Sequence, residues 1–130
     1  MSQENVELVR EGYEWFNREK EPPPTWLADG EYINAPEDPD HAVHQGIDAI
    51  RRHVRGWFDA YPDLQVEPRE IRANGDLVFV WTRFTGHGAE SGVAMEMELA
   101  HVVTVENGRT RRLQEYFNRA EALKAVGLAE

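Results

Sequence analysis

Val6, Val9, Tyr13 and Phe16 recur every three or four positions near the start of the chain, and Leu8, Gly12 and Trp15 widen the stripe. That period predicts an amphipathic helix, capped by Ser2, with Glu4 near its positive end, and finishing near Asn17. The run Glu21-Pro22-Pro23-Pro24 cannot continue it, because proline lacks the amide hydrogen and pushes the residue before it extended. It predicts a stiff connection into a short turn at Trp26-Leu27. Residues 31–35 alternate and are closed by Pro36, the pattern of one short strand. The polar stretch 37–46 reads as a loop, placed to act as a flap over a pocket. A second helix follows, with Ile47, Ile50, Val54, Trp57, Phe58 and Tyr61 on one face and Asp48, Arg51, Arg52 and Arg55 on the other, stopped by Pro62.

From Leu64 onward the period falls to two. Residues 64–67, 71–72, 77–85, 92–105 and 110–117 are strand-like, with turns at Asn74-Gly75-Asp76, Gly86-His87-Gly88 and Asn107-Gly108. These predict meandering antiparallel strands. Asn118-Arg119-Ala120-Glu121 is a capping-box pattern that opens a last short helix through Leu123 and Val126, ended by Gly127. Helices in front and antiparallel strands behind predict an α+β domain with the helices on one face of the sheet. A strongly curved sheet with helices in its hollow leaves a pocket.

Composition narrows the picture. A chain of 130 residues that is 41% hydrophobic, with four Trp, four Tyr and five Phe, is expected to fold as a single domain, 1–130, around one core. There are 24 acidic residues against 14 basic ones, a formal charge of −10, which repels phosphate backbones and anionic lipid headgroups. The densest basic runs, Arg51, Arg52, Arg55 and Arg109, Arg111, Arg112, are short, so neither nucleic acid nor a membrane surface is an expected partner. Without cysteine there is no disulfide, thiolate nucleophile or thiolate metal site. The opening MSQENVELVR has no apolar core segment and no run of ~18 apolar residues occurs, so a cytoplasmic protein is expected. No cofactor is expected either. Gly86-His87-Gly88 is not followed by the helix a dinucleotide loop needs, and no phosphate-loop lysine motif is present.

The candidate chemistry lies on the last two strands. On 92–105 one face carries Val93, Met95, Met97, Leu99, His101, Val103 and Val105, and the other Ala94, Glu96, Glu98, Ala100, Val102 and Thr104. His101 is the one ionisable residue on the apolar face, where burial keeps an imidazole neutral and able to act as base or hydrogen-bond donor. The plainer reading is a buried histidine satisfied by a carbonyl or water. On the next strand Glu115 interrupts an apolar face between Leu113 and Phe117. A three-residue loop, 106–108, sets His101 opposite Leu113 and Glu115 one diagonal step away, within touching reach. A two-residue turn at Asn107-Gly108 instead puts Arg112, Gln114 and Tyr116 on the His101 face. The first register is preferred because it places Leu113 and Phe117 beside Leu99 and Val103. Glu115 also has a structural reading, a buried carboxylate bonded to His101 or an arginine.

Further candidates line the expected pocket. Tyr32 and Asn34 share a strand face and can bond a carbonyl oxygen. Tyr13, Trp15 and Trp57, with Phe58 and Tyr61, suit a planar ligand as well as they suit a core, and Leu99, Leu113 and Phe117 supply apolar wall. Trp81, Arg83 and His87 alternate on one strand, where Arg83 can hold an anion or lie at the surface. His41-x-x-His44 with Asp38 and Asp40 has ligand-like residue types, but its spacing is not that of a helical metal pair, and a solvated loop without metal is expected.

Five strings carry a resemblance: Asn5-Val6-Glu7-Leu8-Val9-Arg10, Gly46-Ile47-Asp48-Ala49-Ile50, Ala60-Tyr61-Pro62-Asp63-Leu64, Ala100-His101-Val102-Val103-Thr104 and Arg119-Ala120-Glu121-Ala122-Leu123. With the order of elements they make the whole chain resemble the SnoaL-like proteins, relatives of polyketide cyclases in the nuclear transport factor 2-like superfamily. The resemblance implies a cone-shaped curved antiparallel sheet, with N-terminal helices packed in its concave face, an internal cavity, and a homodimer. Glu115 falls near where some polyketide cyclases carry an acid–base aspartate. Members isomerise, cyclise, dehydrate, open epoxides or only bind, so the site must decide the chemistry. The resulting expectation is a cofactor-independent isomerase, cyclase or lyase for a small hydrophobic carbonyl-bearing molecule, with His101 as base or donor and Glu115 as its partner. The alternative is a non-catalytic ligand-binding or dimerisation module that pairs two subunits through Ala94, Ala100 and Val102.

Overall fold

The computed structural model describes residues 2–129. In chain order its elements are α1 (Ser2–Glu19), β1 (Trp26–Ile33), β2 (Val43–Gln45), α2 (Ile47–Ala60), β3 (Gln65–Asn74), β4 (Leu77–His87), β5 (Ala94–Glu106), β6 (Arg109–Tyr116) and α3 (Arg119–Val126). The Ser2 side chain, and with it the expected cap, lies outside what is described. The strands form one sheet in the order β2-β1-β6-β5-β4-β3. It is mixed: β1 runs parallel to β6, while every other neighbouring pair is antiparallel.

Two strands start or run differently from the sequence pattern. Trp26-Leu27 is no turn but the beginning of β1. Trp26 is 7% exposed and pairs with Thr110, and the register shifts before Glu31, which is why no alternation betrayed this part of the strand. The Trp26 ring folds over Gly30, where a Cβ would stand 2.7 Å from it. β3 is one strand rather than two. Pro68 interrupts the alternation, yet an edge strand tolerates a residue that cannot donate, and the ladder absorbs it in a bulge between Pro68 and Glu70.

The β5–β6 hairpin follows neither expected register. Asn107 and Gly108 have φ of 50° and 73°, the left-handed pair of a two-residue turn, so Glu106 faces Arg109 and Val105 faces Thr110. The ladder then slips by one residue, Thr104 facing Arg112, so that Arg111 is the extra residue of a bulge. That slip undoes the face reversal a two-residue turn alone would impose. Val103 faces Leu113, and His101 faces Glu115 directly instead of diagonally.

Alternation along β4 and β5 builds two cores. On the concave face Val9, Tyr13 and Phe16 of α1 and Ile50 and Val54 of α2 pack on Val78, Val80, Phe84, Leu99 and Val103. Asn17 ties α1 to β3, donating to Val66 O and accepting from Val66 N, both at 2.9 Å. On the opposite face Ala122, Leu123 and Val126 of α3 cover Phe79, Ala100 and Val102. The helices therefore sit on both faces of the sheet, not one. Ala100 and Val102, 0% and 7% exposed under α3, are not available as the pairing surface the sequence suggested. α3 is framed as its sequence predicts: the Asn118 side chain accepts from Glu121 N, and Gly127 closes the helix at φ 80°. No described helix is long and apolar enough to cross a membrane.

Candidate functional site

His101, 3% exposed, projects from β5 into the concave core, where Tyr13 on the inner stripe of α1 meets it: Tyr13 Oη lies 2.6 Å from His101 Nδ1. Burial lowers the imidazole pKa to about 3 and pushes the phenol above its ordinary value, so both groups are neutral. The tautomer follows from counting donors. If Tyr13 donates to Nδ1, the imidazole hydrogen sits on Nε2 and one donor is unsatisfied. If Nδ1 donates to Tyr13, the phenol hydrogen and the Nε2 lone pair are both left without partners, which costs more. His101 therefore presents an Nε2–H, buried and without a hydrogen-bond partner among the described residues. His101 lines a cavity of about 80 Å³ whose walls include Tyr13, Phe16, Tyr32, Val54, Trp57, Phe84 and Leu113.

Glu115, 4% exposed, stands across the ladder on β6. Its carboxylate accepts from the Tyr32 phenol, from Asn34 Nδ2 at 3.3 Å and from the Ala35 backbone N–H. Tyr32 and Asn34 reach it from the parallel neighbour β1 and the residue just beyond it, so the β1–β6 pairing creates this contact. Loss of hydration outweighs the three donors and raises the Glu115 pKa, and the Tyr32 phenol is raised with it. No hydrogen bond joins Glu115 to His101: each is held by its own tyrosine. Glu115 lines an outer cleft of about 530 Å³, with Asp38, His44, Arg52 and His53 on one side and Met97, Leu99 and Phe117 on another. Trp57 and Phe84, edge to face at 5.7 Å between ring centroids, border both spaces.

The candidate residues thus divide between two compartments. Tyr13, Tyr32, Trp57, Leu113 and His101 line the inner cavity, and Asn34, Leu99, Phe117 and Glu115 the cleft. Trp15 lines neither. Two positions beyond Tyr13 lies about 200° around a helix, and its ring packs under the Arg18 guanidinium, 5.4 Å from the centroid. The residues at the far end of β4 are engaged elsewhere. Trp81 Nε1 donates to Glu98, Arg83 pairs with Glu96 and His87 with Asp63.

Two site residues escaped the sequence reading. His44, assigned to a solvated loop, is in β2 opposite Tyr32, with Nε2 3.0 Å from Asn34 Oδ1. His53 stacks on it at 3.9 Å between ring centroids, and its Nε2 lies 3.5 Å from Asn34 Nδ2. Burial lowers both pKa values, that of His53 to about 4. His53 was findable, being three residues from Ile50 and four from Trp57 on the apolar stripe of α2. His44 gave no signal, because three residues of strand show no period. His41 turns to the Asn34 carbonyl, and no group of three or more His, Asp or Glu among the described residues is placed to hold a metal ion.

Residues 25–113 match the family profile of the SnoaL-like domain. Among solved structures, a nuclear transport factor 2-like protein of unknown function from Burkholderia pseudomallei is 22% identical, with 97% of this chain and 98% of that one covered at a TM-score of 0.74. A protein of ketosteroid isomerase-like fold from Catenulispora acidiphila, in complex with trimethylamine, is 17% identical over 98% and 95% of the two chains, TM-score 0.69. The epoxide hydrolase/cyclase-like enzyme SalBIII, with a role in pyran ring formation in the polyether salinomycin, is 16% identical over 89% and 92%, TM-score 0.73. At these identities the likeness is one of fold. No curated protein matches the sequence.

Proposed function

The chain belongs to the SnoaL-like domain family, and from the geometry of its site we propose that it binds a small, largely apolar molecule bearing a carbonyl oxygen and transforms it by general acid–base chemistry. The observation that carries this reading is the His101 Nε2–H, a buried donor without a partner on a side chain that lines an apolar cavity. Leaving such a donor unpaired costs ~1–3 kcal/mol, and a ligand oxygen removes that cost while the aromatic walls bury the ligand's carbon skeleton. Neutral His101 then stabilises negative charge on that oxygen, its tautomer fixed by Tyr13.

Glu115 supplies the base. A carboxylate with a raised pKa can take a proton from the carbon beside the carbonyl; the C–H pair becomes a C=C bond, and the carbonyl π pair moves to the oxygen held by His101. Return of the proton to another carbon completes an isomerisation; attack of the enolate carbon on a second carbonyl in the same molecule, whose oxygen takes the proton back from Glu115, completes a cyclisation. The step asks only for a donor and a base. Because the two groups address different compartments, the ligand reaches both by lying across the boundary at Trp57 and Phe84.

Native mass spectrometry of the protein as purified, compared with its denatured mass, tests the binding. A bound apolar compound is the expected result. A protein that is empty and shows no saturable quenching of tryptophan fluorescence by small aromatic ketones overturns the reading. Glu115→Gln separates an enzyme from a pure binder: it should retain the ligand and abolish its conversion, whereas equal conversion by both proteins removes Glu115 as the base.

A further inference from the structure

Asn34, 4% exposed, has both ends of its amide engaged. Oδ1 lies 3.0 Å from His44 Nε2, while Nδ2 lies 3.3 Å from Glu115 Oε1 and 3.5 Å from His53 Nε2. Turned over, the amide would set its carbonyl oxygen against the Glu115 carboxylate, acceptor against acceptor. The observed orientation therefore requires a donor at Oδ1, and a neutral His44 supplies one only as the tautomer with its hydrogen on Nε2. The ring is well placed to keep that role, since its backbone pairs with Tyr32 and its face stacks on His53 at an interplanar angle of 18°.

We propose that His44 is a positioning residue for Glu115, acting through the Asn34 amide: its Nε2–H holds the amide so that the N–H side meets the carboxylate. This rests on the reading of Glu115 as the base and extends the machinery to β2, which the proposed reaction does not otherwise use. It makes three states interdependent. With the Nε2–H in place, the Asn34 N–H favours ionised Glu115. With the hydrogen on Nδ1, the amide can turn, Nδ2 donates to His44, and a neutral Glu115 O–H donates to Asn34 Oδ1. The other titratable and charged groups around the carboxyl are Tyr32 of β1, Asp38 and Asp40 after it, Arg52 and His53 of α2, His101 of β5 and Tyr13 of α1. Of these only Tyr32 donates to it directly, and Asn34 is its one side-chain donor whose orientation His44 holds.

The test is carbon-detected NMR titration of the Glu115 carboxyl in the ligand-free protein, beside His44→Phe and His44→Gln. His44→Phe removes the donor and should raise the Glu115 midpoint by about one pH unit. His44→Gln, with an amide N–H near the place of Nε2, should restore most of the shift. An unchanged midpoint in a folded His44→Phe protein, or no rescue by glutamine, overturns the proposal. If His44→Phe does not fold, the nitrogen shifts of His44 in the wild-type protein decide: the Nε2–H tautomer above the Glu115 midpoint is expected, and Nδ1–H there overturns it. None of these readouts needs a ligand, so an empty protein that also shows no saturable quenching by aromatic ketones, which would overturn the binding reading, leaves this test intact.

Discussion

At the scale of single residues, the burial of His101 lowers stability in acid. Its folded pKa, about 3, lies well below the ordinary histidine value of 6.5, so between those limits the unfolded chain binds a proton that the folded protein refuses. Stability then rises with pH across that window and is lost as pH falls through it. His53, lowered to about 4, acts in the same direction. Glu115 acts in the opposite one: its raised pKa makes the folded protein hold a proton that the unfolded chain has released, so its contribution declines as pH rises above 4.5. With three histidines, His44 included, against one carboxyl, urea unfolding followed from pH 6.5 down to 4 should show a net loss of stability. In His101→Gln the loss should be shallower by up to ~1.4 kcal/mol per pH unit. A slope identical in the two proteins would mean that His101 is not buried neutral.

At the scale of elements, β1 and the β5–β6 hairpin position the chemistry by means of irregularities. The bulge at Arg111 restores the face on which Glu115 meets the cleft, and the irregular start of β1 lets the Trp26 ring close over Gly30. Arg111 O and Leu27 O each lie 3.1 Å from the place of a Cβ at Gly30, with the Trp26 ring closer still. Gly30→Ala must therefore displace backbone as well as the ring, at a cost of about 1–3 kcal/mol. Since Trp26 also lines the inner cavity, chemical denaturation and ligand affinity should fall together. An alanine variant as stable as the wild type would show that this approach is looser than described.

At the scale of the whole molecule, two helices on the concave face and one on the other give the sheet a buried interior on both sides, and the inner cavity and the cleft both border the concave core. The space they offer is divided. The inner cavity, about 80 Å³, is smaller than the 150 Å³ void that accepts benzene in an engineered apolar core, so the body of a ring-bearing ligand belongs in the cleft, with its carbonyl end directed inward. Trp57 stands in the partition, packed against Phe16, Tyr32, His53 and Phe84. Trp57→Ala should join the two spaces and strengthen binding of the neutral probe N-phenyl-1-naphthylamine several-fold, read by its fluorescence. Unchanged or weaker binding would mean that the two spaces do not communicate there.

The three helices, the run β4 to β6, the caps of α3, the inner face of β5 at Leu99 and Val103, and the burial of His101 and Glu115 were legible in the sequence because each is a local property. Period, turn residues and one polar group on an apolar face need no knowledge of distant parts of the chain. Trp15 was misplaced because aromatic character reads from the sequence more easily than angle around a helix. What only the tertiary structure decided is pairing at a distance. Tyr13 and His101 lie 88 positions apart, and Tyr32 and Glu115 lie 83 apart; the parallel β1–β6 ladder, the slip at Arg111 and the recruitment of His44 to Tyr32 set these contacts. Such pairings are chosen by the packing of the whole sheet, since a strand's alternation says which face is buried but not which neighbour it will find there.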